Sequence, residues 1–329
     1  MPSDRASGRP PDPDIVKDHE STVTNRIQVA NAPVSYGAFE LTVGIDPNVP
    51  DGIQVLDEVA GAGYAGIDLG PVGYLGTGAE LGERLAARGL GLTGAYLELP
   101  YADHAALEVS MPGLDAMFDV FDAAAPNRLG PPPRPTLADA GSEQRRGQPG
   151  RSVSDPSIGL DADAWRRFGV GLGSVVARCR NRGYEPTFHH ETGTFVEAPW
   201  EIERVLELSD IGLCLDTGHL LLGGGDPVTA VEAWGSRINH VHLKDARRSV
   251  MREIILDGAP ATDIWSRDAF PALGDGDLDG DGVIAALEAI GYEGWMIVEQ
   301  DTLPQTKERF ERAAADQRAN RQYLLRRGL

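Results

Sequence analysis

Four short apolar segments in the second half of the sequence each end in acidic or imidazole side chains. They read TFHHE, GLCLD, NHVHLK and WMIVEQD, between residues 187 and 301. Alternate side chains of a strand point to opposite faces, so His189 and Glu191 are predicted to share one face of the first segment. Asp216, His242 and Glu299 similarly lie at the ends of the other three. A parallel barrel is the arrangement that brings such strand ends together around one pocket.

Four earlier segments have the same strand character and read IQVAN, YAGID, TGAYLELP and PTLADAG. Helical patterns near residues 49–62, 81–88, 105–125, 161–182 and 304–326 alternate with the strands, and Met111-Pro112-Gly113 is expected to interrupt the third of them. Alternating strands and helices predict a (β/α)8 TIM barrel in one domain, residues 26–329.

Three further stretches are expected to lack regular structure. Residues 1–25 are rich in proline and charge, which predicts a disordered leader. Two turn-rich stretches near residues 126–160 and 246–280 are predicted to be long loops, the first of them mobile and beside the site.

The composition excludes several classes of partner. With 50 acidic and 30 basic side chains the formal charge is -20, which argues against nucleic acid and against an anionic membrane surface. The two cysteines, Cys179 and Cys214, are too few for a disulfide framework, and Cys214 is expected to be a small core residue. Without a membrane-length apolar segment, the sequence predicts a soluble cytoplasmic protein. Homo-oligomer formation is left open.

The strand ends offer a metal-binding set of three carboxylates and one imidazole, Glu191, Asp216, His242 and Glu299. Such an oxygen-rich set favours one divalent ion, Mn²⁺ ahead of Mg²⁺, Co²⁺ or Zn²⁺, over a thiolate zinc site. His189 is interpreted either as a further ligand or as an acid/base group beside the metal.

Three other histidines accompany this set. His219, in the segment DTGH, could bind a substrate hydroxyl or cap the local backbone. His190 is predicted to face the helices, and His240 lies one layer deeper in the barrel. Both are therefore interpreted as structural.

An acidic stretch before the last strand competes as a metal site. Asp277, Asp279, Asp281, Gly282 and Glu288 fit the EF-hand spacing D-x-D-x-D-G-x5-E. The preceding AFPALG is a poor entering helix, and aspartates here could equally cap the following helix. Helix capping is the preferred interpretation.

At these motifs the sequence resembles the xylose isomerase-like barrel superfamily, and within it the inosose dehydratase-like branch of inositol catabolism. The resemblance rests on NAPVSYG, YAGIDLGPVGYLG, LADAGSEQRRG, FHHETGTFVE, LDTGH, HVHLKD and GWMIVEQD. It implies one metal held by Asp216, His242, Glu299 and a strand-five group, with a substrate contact from His219. Many dehydratase-like relatives carry His-x-His before Gly-Thr, where this chain has His189-His190-Glu191. The resemblance therefore implies at Glu191 the carboxylate expected of isomerases and epimerases.

The resemblance implies an enzyme acting on a small keto-sugar or cyclitol. We expect a metal-dependent isomerase or epimerase that removes a proton next to a carbonyl and forms an enediolate. The expected catalytic groups are His189, Glu191 and Glu299, and the expected substrate contacts are His219, Lys244, Tyr96 and Glu98.

Three alternatives remain at this stage. One is a lyase, either inosose dehydratase-like or oxo-glycoside-cleaving, and another is a non-catalytic barrel that binds sugar or calcium. The third, an AP endonuclease, would need further histidines at strand ends where this chain has Asp68, Tyr96 and Glu98.

Overall fold

The computed structural model describes residues 27–303 and 306–329. Its strands are β1 (Ile27–Asn31), β2 (Gly66–Ile67), β3 (Gly91–Leu92), β4 (Gly94–Leu99), β5 (Arg134–Asp139), β6 (Thr187–His189), β7 (Gly212–Asp216), β8 (Ile238–Leu243) and β9 (Gly294–Val298). They form one parallel sheet in the order β3-β2-β1-β9-β8-β7-β6-β5-β4, curved into a nearly closed barrel. The predicted fold class is confirmed. The predicted leader, residues 1–25, lies outside the described residues.

Nine strands correspond to the eight predicted because the third barrel strand is divided at Thr93. Its first part, β3, pairs with β2, and its second part, β4, pairs with β5. The Thr93 amide donates to the Ile67 carbonyl at 3.1 Å, and the Leu69 amide donates to the Gly94 carbonyl at 2.9 Å. These two hydrogen bonds continue the hydrogen bonding of the barrel sheet across the division at Thr93.

The helices that surround the barrel are α1 (Gly52–Ala62), α2 (Gly78–Ala86), α3 (His104–Ala124), α4 (Glu143–Arg146), α5 (Ala162–Asn181), α6 (Pro199–Leu208), α7 (Thr217–Leu222), α8 (Pro227–Trp234), α9 (Arg248–Asp257), α10 (Asp263–Ser266), α11 (Gly280–Ala289) and α12 (Lys307–Leu325). The expected interruption at Pro112 is wrong, because α3 continues through it. Pro112 faces solvent, while buried Met111 and Leu114 hold both halves of the helix against the barrel.

The two predicted long loops are more regular than the sequence suggested. The first contains α4 and two short 3-10 turns, and buried Arg145 ties it to the barrel through ion pairs with Glu197 and Glu201 at 3.1 and 2.7 Å. The second contains α9 and α10, whose apolar side chains form a small core of their own with Phe270. Charged residues between those apolar positions concealed the helical spacing in the sequence.

Two layers of side chains pack on the strands. Phe188, Leu213 and Val241 are fully buried against the helices. On the inner face the Trp295 indole lies across the barrel floor against Gly66, where an added Cβ would come within 2.8 Å of the ring. The opposite, carboxyl end of the barrel carries the ionisable residues. Within the described residues, no helix is both long and apolar enough to cross a membrane.

Candidate active site

The carboxyl ends of β6 to β9 bring four ionisable side chains into one cluster. His189 ends β6, Asp216 ends β7 opposite His242 of β8, and Glu299 directly follows β9. Their side chains are almost completely buried, with 3%, 0%, 2% and 7% exposure in that order. The cluster therefore lies inside the mouth of the barrel and not on its outer surface.

The distances within this cluster suit a shared cation. His242 Nδ1 lies 3.1 Å from Glu299 Oε2 and 3.8 Å from Asp216 Oδ2, and His189 Nε2 lies 3.4 Å from the same Asp216 oxygen. Among the described residues, His242 Nε2 has no nitrogen or oxygen partner, and Asp216 Oδ2 and His242 Nδ1 have only ion-pair neighbours, among them Lys244 at 3.2 Å and Glu299 at 3.1 Å. Buried polar atoms are normally hydrogen-bonded, so this incompletely bonded set fits a divalent ion.

Glu191 lies beside this cluster, on the far side of the His189 ring from Asp216. Its Oε2 atom is 3.4 Å from His189 Nδ1, and its Oε1 atom is 3.0 Å from His219 Nε2. The His189 ring therefore lies between Glu191 and Asp216, and the ligand role of Glu191 stays a prediction. Because β6 ends at His189, strand alternation no longer governs the direction of the Glu191 side chain.

A buried lysine neutralises the carboxylates. Lys244 Nζ lies 3.2 Å from Asp216 Oδ2, 3.0 Å from Glu299 Oε2 and 2.8 Å from Asp301 Oδ1. Burial alone would lower the pKa of Lys244, but these carboxylates hold it well above its usual value. Asp301 was missed in the sequence, although its place two residues after Glu299 was a usable signal.

His219 connects this cluster of ionisable residues to Glu191. It lies in the first turn of α7, where its amide donates to the Asp216 carboxylate at 2.8 Å. Its Nδ1 atom is 2.9 Å from the Thr192 hydroxyl, which leaves Nε2 facing Glu191 and, at 3.6 Å, Asp301. Burial would lower the pKa of His219, but these carboxylates raise it above its usual value.

Tyr96 and Glu98 lie at the rim of the site. The Tyr96 hydroxyl donates to Glu98 at 3.1 Å and lies 3.5 Å from Glu191 Oε2, and its ring meets His189 edge-on. Tyr96 is half-buried, whereas Glu98 is exposed. Both are therefore reachable from solvent, as a substrate-contacting position requires.

Asp68 at the end of β2 also faces the cluster. One of its carboxylate oxygens lies within 4.8 Å of ligand atoms of His242 and Glu299. Burial raises the pKa of Asp68 to about 6, while the nearby His242 opposes that rise. The sequence identified Asp68 only as a strand end, because the barrel closure that brings β2 opposite β8 cannot be read from a single strand.

The two histidines that were interpreted as structural are fully buried. His190 Nε2 accepts a hydrogen bond from the Asp216 amide at 3.3 Å. The His240 ring lies 5.5 Å from the His242 ring, in the layer below it. Burial lowers the pKa of both well below the usual value, so both are neutral at neutral pH.

The acidic stretch before α11 does not converge on one point. Asp279 caps α11 by accepting from the Gly282 amide at 2.9 Å, and Asp277 accepts from the Arg248 amide at 2.7 Å. Asp281 forms an ion pair with Arg327. Because α11 begins at Gly280, most of the EF-hand pattern is helical, and its carboxylates bind three separate partners.

Known proteins with related sequences include curated inosose dehydratases. The chain is 34% identical to the Lacticaseibacillus casei protein over 166 residues, which make up 50% of this chain and 56% of that protein. It thus spans little more than half the length of that relative. It is 28% identical to the Geobacillus kaustophilus protein over 290 residues, or 87% of this chain and 90% of that protein.

Solved structures with the same fold include an L-ribulose 3-epimerase, with a TM-score of 0.62, 17% identity and coverage of 91% of this chain and 93% of that one. The IOLI protein with a bound zinc atom has a TM-score of 0.61 and 13% identity, and the match covers 90% and 95% of the two chains. The family model described as a xylose isomerase-like TIM barrel matches residues 56–322. The chain belongs to this family.

Proposed function

We propose that the protein is a divalent-metal-dependent isomerase or epimerase of a small keto-sugar or cyclitol. The observation that carries the proposal is a buried set of incompletely hydrogen-bonded ligand atoms beside a second pair, Glu191 and His219, whose side chains lie 3.0 Å apart. One group of residues would orient a carbonyl and its neighbouring hydroxyl, and the other would move a proton. The L-ribulose 3-epimerase with the same fold supports this reaction class.

Asp216, His242, Glu299 and His189 would hold the metal. We favour His189 over Glu191 as the strand-five ligand because its Nε2 atom is the one that lies beside Asp216. A bound divalent ion would act as a Lewis acid on the substrate carbonyl and stabilise the enediolate. Mn²⁺ is our first choice of ion, and the zinc atom of the IOLI protein supports Zn²⁺ as the alternative.

Glu191 is then the group that removes the proton next to the carbonyl. Burial raises its pKa to about 8, while His219 and Lys244 oppose that rise, so the carboxyl can both hold and release a proton near neutral pH. His219 Nε2, 3.0 Å away, can share that proton. Tyr96 would orient the carboxylate from the rim of the site.

Glu299 is the second carboxylate available to the substrate. Burial would raise its pKa, but His242 and Lys244 hold it well below the usual range, so Glu299 stays ionised. As an ionised carboxylate it can accept a hydrogen bond from a substrate hydroxyl. Epimerisation also needs an acid on the face away from Glu191, because the proton leaves from one face and returns to the other. The Lys244 ammonium, whose Nζ lies 3.0 Å from Glu299 Oε2, could supply that returning proton.

A dehydratase-like lyase is the second candidate. It is supported by the related sequences that are named inosose dehydratases, at 28–34% identity. The first step would be the same, and the enediolate would then expel a β-hydroxyl instead of being reprotonated. The ammonium of Lys244, or the His219 imidazole held by its carboxylates, could donate a proton to the departing hydroxyl. Cleavage of an oxo-glycoside would follow the same course.

Solvent deuterium uptake distinguishes these reactions. Mn²⁺-loaded protein is incubated in D₂O with a panel of ketoses and inososes, and substrate and product are examined by NMR. Deuterium in an epimer or isomer supports the first candidate, and an unsaturated or dehydrated product supports the lyase. Glu191→Gln should slow exchange by about 10²–10⁴, whereas Glu203→Gln on the exposed face of α6 should leave it unchanged. Absence of exchange across the panel with bound metal would contradict both.

A further inference from the structure

Cys214 lies directly beneath the candidate metal centre. It is a residue of β7, two positions before Asp216 and on the same face, and its Cα pairs with His189 on one side and His240 on the other. Its side chain is fully buried. The ligand atoms of Cys214, His189 and His242 all lie within 4.8 Å of one another, which places a sulfur atom beside two imidazoles of the centre.

The Cys214 sulfur is a neighbour of the His242 ring, with which it forms a side-chain hydrogen bond. Within the part of the chain that the structure describes, His242 Nε2 has no nitrogen or oxygen partner, although the side chain is only 2% exposed. His242 contacts both groups, since its Nδ1 atom also lies 3.1 Å from Glu299 Oε2. Cys214 precedes Asp216 by two residues on the same face of β7, so an ion near the sulfur would lie one layer deeper than an ion near Asp216.

We propose that Cys214, His189 and His242 form a second binding mode for thiophilic divalent ions, overlapping the carboxylate-rich mode. Soft thiolate ligands select ions such as Zn²⁺, whereas carboxylates suit Mn²⁺ and Mg²⁺. Coordination would displace the thiol proton to solvent, since a metal ligand must be deprotonated. The chemistry of the ion then decides its position: Mn²⁺ near Asp216 and Glu299, Co²⁺, Zn²⁺ or Cd²⁺ closer to Cys214.

This inference rests on the metal centre of the proposed function but not on the identity of the substrate. A thiophilic ion held near Cys214 would lie deeper in the barrel than an ion held by the carboxylates. It would then be farther from a carbonyl that is within reach of Glu191. A thiophilic ion would therefore bind the protein more tightly than Mn²⁺ but support turnover less well.

Co²⁺ absorption tests the proposal without an activity assay. Full-length protein is stripped with a chelator and titrated with Co²⁺, while bound cobalt is measured by elemental analysis. We expect a near-ultraviolet thiolate-to-Co²⁺ charge-transfer band in the wild-type protein and its loss in Cys214→Ser. Cys179→Ser, which removes the buried cysteine of α5, is the matched control and should keep the band. Circular dichroism of each variant confirms folding.

Each outcome bears on the inference. Cobalt bound by the wild-type protein without a thiolate band would overturn the sulfur-containing mode and leave the carboxylate-rich centre intact. Failure to bind cobalt at all would overturn both. A band that survives Cys214→Ser would assign the thiolate elsewhere. In competition titrations, Cys214→Ser should weaken Cd²⁺ binding by at least about 10–100-fold, the loss that mutation of an outer-shell partner already causes, and change Mn²⁺ binding far less. Equal losses for both ions would contradict the proposal.

Discussion

The Nε2 atom of His189 lies 3.4 Å from the Oδ2 atom of Asp216. The other ring nitrogen faces Glu191 Oε2, also at 3.4 Å, so the imidazole separates the two carboxylates. His189 and Glu191 could not exchange their positions relative to Asp216 unless the end of β6 moved. This geometry yields the first prediction, which reverses the roles that the sequence favoured.

His189→Ala should release the metal, whereas Glu191→Gln should keep it and lose turnover. The alanine variant removes an atom beside Asp216, while the glutamine variant alters only the group that moves the proton. Elemental analysis of the dialysed proteins measures the first effect. Turnover of Glu191→Gln should fall by about 10²–10⁴. A full site in His189→Ala with an empty one in Glu191→Gln would restore the ligand role of Glu191.

Asp216→Asn should empty the metal site without unfolding the barrel. The asparagine oxygen can still accept from the His219 amide and cap α7, so the change removes charge but not the local hydrogen bond. His242→Ala should have the same effect on metal content. Asp226→Asn, at the matching cap of α8, is the control. Stoichiometric metal in both site variants would show that the cluster is not the metal centre.

Lys244→Met should lower the free energy of unfolding of the metal-free protein and raise its affinity for Mn²⁺. Removing a buried partner leaves carboxylates unpaired, which costs about 3–5 kcal/mol. A unit charge about 4 Å away disfavours a cation by on the order of 1–4 kcal/mol, so Mn²⁺ affinity should rise. Calorimetric titration and urea unfolding with and without Mn²⁺ measure both effects. The exposed Lys307→Met is the control. Unchanged affinity would mean that Lys244 and the metal bind different carboxylates.

Calcium should not stabilise the protein through the acidic stretch. Asp279→Ala should cost about 1 kcal/mol as a lost helix cap, with or without Ca²⁺, and the capping variant Asp226→Ala should behave alike. A calcium site in the native state would add about 2.7 kcal/mol to the free energy of unfolding at a hundredfold excess of Ca²⁺ over Kd. Thermal unfolding that rises by this amount with Ca²⁺, and loses the rise only in Asp279→Ala, would establish a calcium site.

Strand periodicity was enough to predict the barrel and the meeting of Asp216, His242 and Glu299. Each of these residues is in or directly after a strand, where alternation and parallel pairing fix the direction of the side chain. Glu191 is two residues beyond β6, where that rule no longer holds. The direction of its side chain depends on the turn in which its amide donates to the Val196 carbonyl at 3.0 Å. No local sequence pattern predicts that turn.

Other parts of the site depend on contacts between distant segments. The Phe270 ring centroid lies 4.9 Å from Lys244 Nζ, and the ring packs edge-on against His219. Phe270 is held in this position by the small apolar core that it forms with α9 and α10. The sequence of this region mixes charged residues with its apolar ones, so it was interpreted as a loop. Asp68 likewise reaches the site only because the barrel closes.

Asp139 provides a test of pH dependence away from the candidate metal centre. Its side chain ends β5, is 3% exposed and accepts from the Gly141 and Phe195 amides at 2.8 and 3.2 Å. Burial raises its pKa to about 7, although both amides oppose the rise. An unfolded aspartate titrates near about 4, so between these values the native state holds a proton that the unfolded state has released.

The native state is therefore favoured at the acid end of that window, and the contribution of Asp139 to stability falls as pH rises from about 4 to about 7. Asp139→Asn keeps an oxygen for the two amides and removes the titration. From pH 5 to pH 8 the wild-type protein should lose on the order of 2–3 kcal/mol relative to this variant. Urea unfolding at both pH values measures the difference, and the exposed Asp119→Asn should show none. A constant difference between wild type and Asp139→Asn would show that Asp139 is ionised throughout in the native state.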